Sequence, residues 1–321
     1  MSPVPRISWE TAATTAVRLV PPGPTPGPRE AARVVADLRR AAEQARGHVR
    51  EITRLDVPGD GATLVVDRAS WIRANLDSFA PVVDDLHVPP SGRLATSALG
   101  RGWGRLGEES AGHLVGGVLA ALAPRVLGQF DVFHALHGAG GAGRLLLVAP
   151  NIHAIGQRLG LVAGDFRLWV CLHEETHRLQ YARAPWLAPH LAGLVGTAMV
   201  GSDSEVDSAT DAITALMSVV EGHADMVMDQ VGPGVIPTLP TIRTRFDRRR
   251  EGRPGLARIL GRLLGMEKKL QQYKEGAAFC RHVQQQVGID RFNRVWDAPE
   301  RLPDLYELRH PEAWVQRVGL R

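Results

Sequence analysis

Residues 166–181 read FRLWVCLHEETHRLQY. Two histidines stand four apart, and a glutamate directly follows the first. An α-helix turns by about 100° per residue, so side chains four apart share one face, one turn apart. Helical geometry thus sets His173 and His177 side by side, able to chelate one Zn2+. Glu174 lies about 100° around the helix, next to such an ion rather than on it, where it can take a proton from bound water. The helix is apolar almost all round, with Phe166, Trp169 and Val170 on the histidine side and Leu168, Leu172 and Leu179 on the other. That pattern predicts a buried helix, and two unpartnered imidazoles beside a carboxylate are costly to bury. Glu175 and Arg178 are charged; Glu175, about 200° from His173, is expected to face away from the ion. Asp165 is the expected N-cap, and Pro185 marks the helix end.

Catalytic zinc sites usually have three protein ligands. The third is sought in VVEGHADMVMD, 219–229, on a long helix predicted over 206–230. Its core-facing stripe runs Ile213, Met217, Val220, Ala224, Val227 and Val231. Glu221 falls within that stripe, and Asp225 follows one turn later. Two inward carboxylates need cations or donors. Glu221 as third zinc ligand and Asp225 as acceptor for a histidine's second ring N–H satisfy both. His223, about 200° from Glu221, is expected to face elsewhere, and Asp229 to be a helix-end charge. A donor to a developing oxyanion is sought among Tyr181, His153 and Tyr273, and the sequence does not choose between them.

With 321 residues, 44% of them apolar, the chain can bury a sizeable core. The PPGPTPGP stretch at 21–28 sets an N-terminal segment, 1–28, apart from what reads as one domain over 29–321. Helices are predicted over about 29–54, 69–79 and 109–128, after Pro150, and as a pair within 255–287; strands are predicted over 63–67 and 144–148. Gly138, Gly140 and Gly143 fit GxGxxG, but a strand follows them instead of preceding them, so they read as a turn and not a phosphate loop. Segment 184–200 is expected to pack over the two metal-bearing helices. The net charge of +4 is carried almost entirely by arginine, with Lys268, Lys269 and Lys274 as the lysines. The arginine-rich stretch 243–258 lacks aromatic interleaving beyond Phe246 and reads as solvated charge, so neither nucleic acid nor membrane is expected as a partner. Two cysteines, the absence of an apolar leader, and a longest apolar run (113–127) broken by Pro124 and Arg125 predict a soluble cytoplasmic protein.

HExxH followed by ExxxD resembles the gluzincin arrangement of thermolysin-like peptidases, with 44 residues from His177 to Glu221. The likeness extends further. LLLVAPNIHAIGQRLG, DFRLWVCLHEETHRLQYARAPWL, EGHADMVMDQVG and DAPERLPDLYELRHPEAWVQRVG resemble the actinobacterial zincin-like metallopeptidases, often labelled for deazaflavin-coenzyme biosynthesis. The resemblance covers most of the chain. It implies a helix-dominated α+β, zincin-like fold with a small sheet. It also implies His173, His177 and Glu221 on Zn2+, and Glu174 as base. The coenzyme label corresponds to no chemistry in these residues. At position 175 zinc peptidases more usually carry an apolar residue, so Glu175 is a local departure. Zincins commonly lay substrate along an edge strand, and by that analogy strand 144–148 is expected to do so. The leading expectation is a zinc-dependent hydrolase acting on a peptide or protein, with zinc-bound water activated by Glu174 attacking a carbonyl. One rival is a catalytically idle zincin that binds a peptide or partner; another is a metal-free helical scaffold.

Overall fold

The computed structural model describes residues 7–57, 61–84, 107–134, 143–251 and 273–320. The elements before the metal-motif helix are α1 Trp9–Leu19, α2 Pro28–Thr53, β1 Thr63–Val66, α3 Arg68–Asp84, α4 Glu108–Leu122, β2 Gly128–Asp131, β3 Arg144–Val148 and α5 Ala149–Arg158. The motif helix is α6, Ala163–Arg183, followed by α7 Leu187–Val200, α8 Asp203–Gln230, α9 Leu239–Glu251 and α10 Tyr273–Val287. Short helical turns, among them Leu305–Arg309 and Pro311–Val318, complete the described C-terminus. The architecture is helix-dominated with a small sheet. Among the described residues no helix is long and apolar enough to cross a membrane.

The sheet has strand order β1-β3-β2, with β1 parallel and β2 antiparallel to β3. Leu145 to Val148 of β3 are all fully buried, as the unbroken apolar run requires of a strand covered on both faces. Leu147 belongs to the larger core with α2, α6 and α8, while Leu146 and Val148 pack with Trp71, Ile72 and α1 in a smaller one. The expectation that 144–148 offers an edge to substrate is corrected here. β3 is hydrogen-bonded on both sides, and the edge strand beside α6 is β2.

The middle turns of α6 are buried almost all round, and inside them Glu175 and Arg178 pair with each other. Glu175 is fully buried and accepts from Arg178 Nε at 3.1 Å, with Arg46 Nε of α2 at 3.5 Å. Arg178 in turn donates to the Gly61 carbonyl at 2.8 Å, just before β1. The charged pair inside the motif thus fastens α6 to α2 and to the sheet. Burial raises the Glu175 carboxyl above its ordinary value, against the opposing pull of Arg178 and then Arg46.

Asp165 is not the N-cap of α6, which starts at Ala163. Its carboxylate instead accepts from the backbone N–H of Thr238 at 3.0 Å, one residue before α9. α8 opens with Glu205 Oε2 accepting from the Ser202 N–H at 2.8 Å, a reciprocal cap that holds the first turn. The described part of the arginine-rich stretch lies in α9. There Arg243 pairs with Asp225 and Asp229, and Arg245 donates to the carbonyls of Leu159 and Gly160. The glycines at 138 and 140, and the first helix expected within 255–287, lie outside the described residues.

α8 and α10 cross with backbone against backbone. A β-carbon on Gly276 would stand 1.9 Å from the Ser218 carbonyl oxygen, and one on Gly222 would stand 2.3 Å from the Gly276 carbonyl carbon. This crossing pins the turn of α8 that carries Glu221. Gly276→Ala is therefore expected to destabilise by about 1–3 kcal/mol or more through overpacking. Gly47→Ala, in mid-α2 with nothing within 4 Å of its added carbon, is expected to stabilise by about 0.5–1 kcal/mol. Chemical denaturation of the two variants beside the wild type checks both signs.

Candidate metal centre

His173 and His177 meet on the inner face of α6, and α8 brings Glu221 to them. The two Nε2 atoms are 3.1 Å apart. Glu221 Oε2 lies 3.5 Å from His173 Nε2, and its Oε1 lies 3.8 Å from His177 Nε2. Ligand atoms at ~2.0–2.2 Å from a tetrahedral zinc stand roughly 3.3–3.6 Å from one another. The two imidazole nitrogens are slightly closer than that and the two Glu221 distances straddle its upper end, and one donor atom from each of the three residues lies within 4.8 Å of the others.

The proton positions on the rings follow from their other neighbours. Gln180 Nε2 lies 2.9 Å from the Val220 carbonyl oxygen. A carbonyl only accepts, so this end of the amide is the nitrogen. Gln180 Oε1 then faces His177 Nδ1 at 2.9 Å, and Nδ1 must carry the proton. The second amide hydrogen points at His223 Nδ1, 3.0 Å away. Met228 Sδ lies 3.3 Å from His173 Nδ1, and a thioether also only accepts. Both Nε2 lone pairs therefore face each other and a carboxylate. A cation between them relieves that repulsion, so the residues present fit a divalent metal ion.

Burial pushes the His177 pKa below the ordinary imidazole value, and His173 adds to this against Glu221 and Gln180. Burial followed by His177 takes His223 down to about 3. Glu174, on the neighbouring face, is 6% exposed. Burial raises its carboxyl to about 7, with His173 opposing and Glu221 adding. The Tyr181 phenol is pushed well above its ordinary value by burial and then by Glu221. Tyr181 lies one turn beyond His177, and its ring packs 5.7 Å from Phe130 of β2. At the start of that strand, a β-carbon on Gly128 would stand 2.5 Å from Glu174 Cγ and 2.8 Å from its Oε1. The edge strand thus lies directly on the carboxylate.

Asp225 does something other than expected. Its Oδ1 accepts from Arg243 at 2.8 Å, while the ring Nδ1 atoms are turned to Gln180 and Met228. The reason is α9, whose arginine reaches the Asp225 carboxylate first. His223 faces away from the three converging groups, as its position on the helix led us to expect, yet it supports them through Gln180, a residue the sequence did not single out. Gln180 had left a signal: it stands three after His177, the spacing at which helix neighbours touch. His153 pairs with Glu30 of α2 at 3.7 Å. Asn151 accepts from Arg68 and donates to the carbonyls of Ala123 and Val126. Both stand apart from the three donors. The Tyr273 side chain lies outside those described.

The chain belongs to the zincin-like metallopeptidase family, whose sequence profile matches residues 7–213 and 198–315. That family implies a metal, typically zinc. The fold is also similar to a crystal structure from Chloroflexus aurantiacus, described as a candidate hydrolase with a novel fold. The two share 31% identity and a TM-score of 0.78, covering 98% of this chain and 99% of that one. A comparison with curated proteins finds no match.

The two carboxylates of α8 are separable by experiment. Glu221→Ala is expected to lower zinc affinity by more than the roughly 10–100-fold typical of losing an outer hydrogen bond. Asp225→Asn is expected to keep zinc while loosening Arg243 and lowering the melting temperature. Elemental analysis and chelator competition decide; the opposite ranking of the two variants would exchange their roles.

Proposed function

We propose that this protein is a zinc-dependent hydrolase that cleaves an amide bond in a peptide or protein. The observation that carries the reading is the convergence of His173, His177 and Glu221, with the buried Glu174 carboxylate beside them and outside their set. His173, His177 and Glu221 would hold the zinc. When bound, zinc supplies a Lewis acid that polarises a carbonyl and lowers the pKa of water from ~15.7 to ~7.

The chain's own residues supply the rest. Glu174 sits about 100° around α6 from His173, close enough to act on the attacking water without joining the ligands. Desolvation strengthens its carboxylate as a base, so it takes the proton from water and passes it to the leaving nitrogen. Tyr181, held as the neutral phenol by burial and Glu221, keeps an O–H to donate to the carbonyl oxygen as charge develops there. Among the described residues β2 pairs only with β3, and its other edge can accept an extended substrate by strand addition. Both cysteines are buried and unpaired, which fits work in a reducing compartment such as the cytoplasm.

Glu174→Gln is expected to lower turnover on a peptide library by about 10²–10⁴-fold while zinc per chain stays at the wild-type level. Equal cleavage by both proteins would remove Glu174 from the mechanism. If the zinc-loaded wild type cleaves nothing in the library, the cleft is better read as a binding module for a peptide or partner.

A further inference from the structure

We propose that Gln180 and His223 form an uncharged positioning relay that fixes the His177 tautomer before any metal arrives. This rests on the ligand role assigned to His177 above. The relay runs from His177 Nδ1 to Gln180 Oε1 at 2.9 Å, then from Gln180 Nε2 to His223 Nδ1 at 3.0 Å, with Val220 O holding the amide at 2.9 Å. Each hydrogen bond has one permitted direction, because the Val220 carbonyl cannot donate. The His177 proton is thereby placed on Nδ1, and its Nε2 lone pair is turned toward Glu221 and His173. Without an acceptor at Nδ1, the ring is free to carry its proton on Nε2, where it would block a metal.

Gln180 and His223 are both fully buried. Among the described residues the His223 Nε2 has no hydrogen-bond partner, and the ring is enclosed by Phe292 and Trp296, with centroids 5.3 and 5.5 Å away. An apolar residue would fill that space without a partnerless ring N–H, but it would leave the second Gln180 hydrogen with no acceptor. The feature that only histidine supplies here is the Nδ1 lone pair that receives the second Gln180 hydrogen. Metal-bound histidines commonly hand their second N–H to a carboxylate, a backbone carbonyl or water. Here an amide takes that place. It orients the ring as a carboxylate would but adds no negative charge, so a metal held by His177 would receive less electron density from the ring.

Two variants and two readouts test the relay. Gln180→Leu removes the acceptor and both donors. Gln180→Glu restores the acceptor and lacks the donors to Val220 and His223. Nitrogen-15 spectra of His177 in the metal-free proteins report the tautomer and need no metal. The wild type and Gln180→Glu are expected to hold the proton on Nδ1, and Gln180→Leu to lose that preference. Zinc affinity by chelator competition is expected to fall about 10–100-fold in Gln180→Leu and by much less in Gln180→Glu, although both variants melt at lower temperature. A wild-type His177 protonated on Nε2, or zinc affinities that follow melting temperature instead of the acceptor, would overturn the relay. If the wild type takes up no zinc, the metal reading fails, and the tautomer spectra still decide whether the relay exists.

Discussion

The structure depends on one constraint: the middle turns of α6 are enclosed almost all round yet carry the polar run HEETHRLQ, so each polar group inside must find a partner. The partners define the architecture. Glu175 is met by Arg178 and Arg46, Arg178 reaches Gly61, and the Thr176 hydroxyl returns to the Leu172 carbonyl at 2.7 Å. Gln180 spans to α8 through Val220 and His223. The two imidazole nitrogens and Glu221 face one another between α6 and α8, close enough for a shared proton or a cation to hold them together. The packing of α2, the sheet and α8 around α6 is thus also the construction of the site.

That constraint explains why a buried salt bridge sits inside the motif. A buried ion pair is weak evidence for stability, but removing one partner typically costs about 3–5 kcal/mol. Glu175 could stand where an apolar residue is more usual because two arginines, one from α2 and one from its own helix, are directed at it. Its about 200° offset from His173 keeps this network away from the two imidazoles and Glu221. One helix therefore carries a charged network on one side and the His173–His177 pair that meets Glu221 on the other.

Much of this was legible in the sequence. Period-3.6 patterns located α2, α6 and α8, and the apolar run located β3. The i,i+4 rule placed His173 and His177 together, and the inward stripe of α8 singled out Glu221. What stayed hidden depended on neighbours distant in sequence. β2 is four residues, GQFD, too short for alternation to register, and it opens with glycine. α1 was read only as part of a segment ahead of a proline-rich loop, because its partner, α4, lies about a hundred residues away. Asp225 shares the inward region with Glu221, but a helical wheel gives a direction and not a partner, and α9 had already supplied Arg243. Gln180 looked like an ordinary polar residue until Val220 and His223 showed which way its amide points.

Gly128 carries a consequence for how this site can diversify. Any side chain there would occupy the volume of the Glu174 carboxylate, so this point of β2 is closed to evolutionary tinkering. Changes in its surroundings must fall at other positions, such as Phe130 further along the strand. The contact between β2 and Glu174 stays fixed while its surroundings drift.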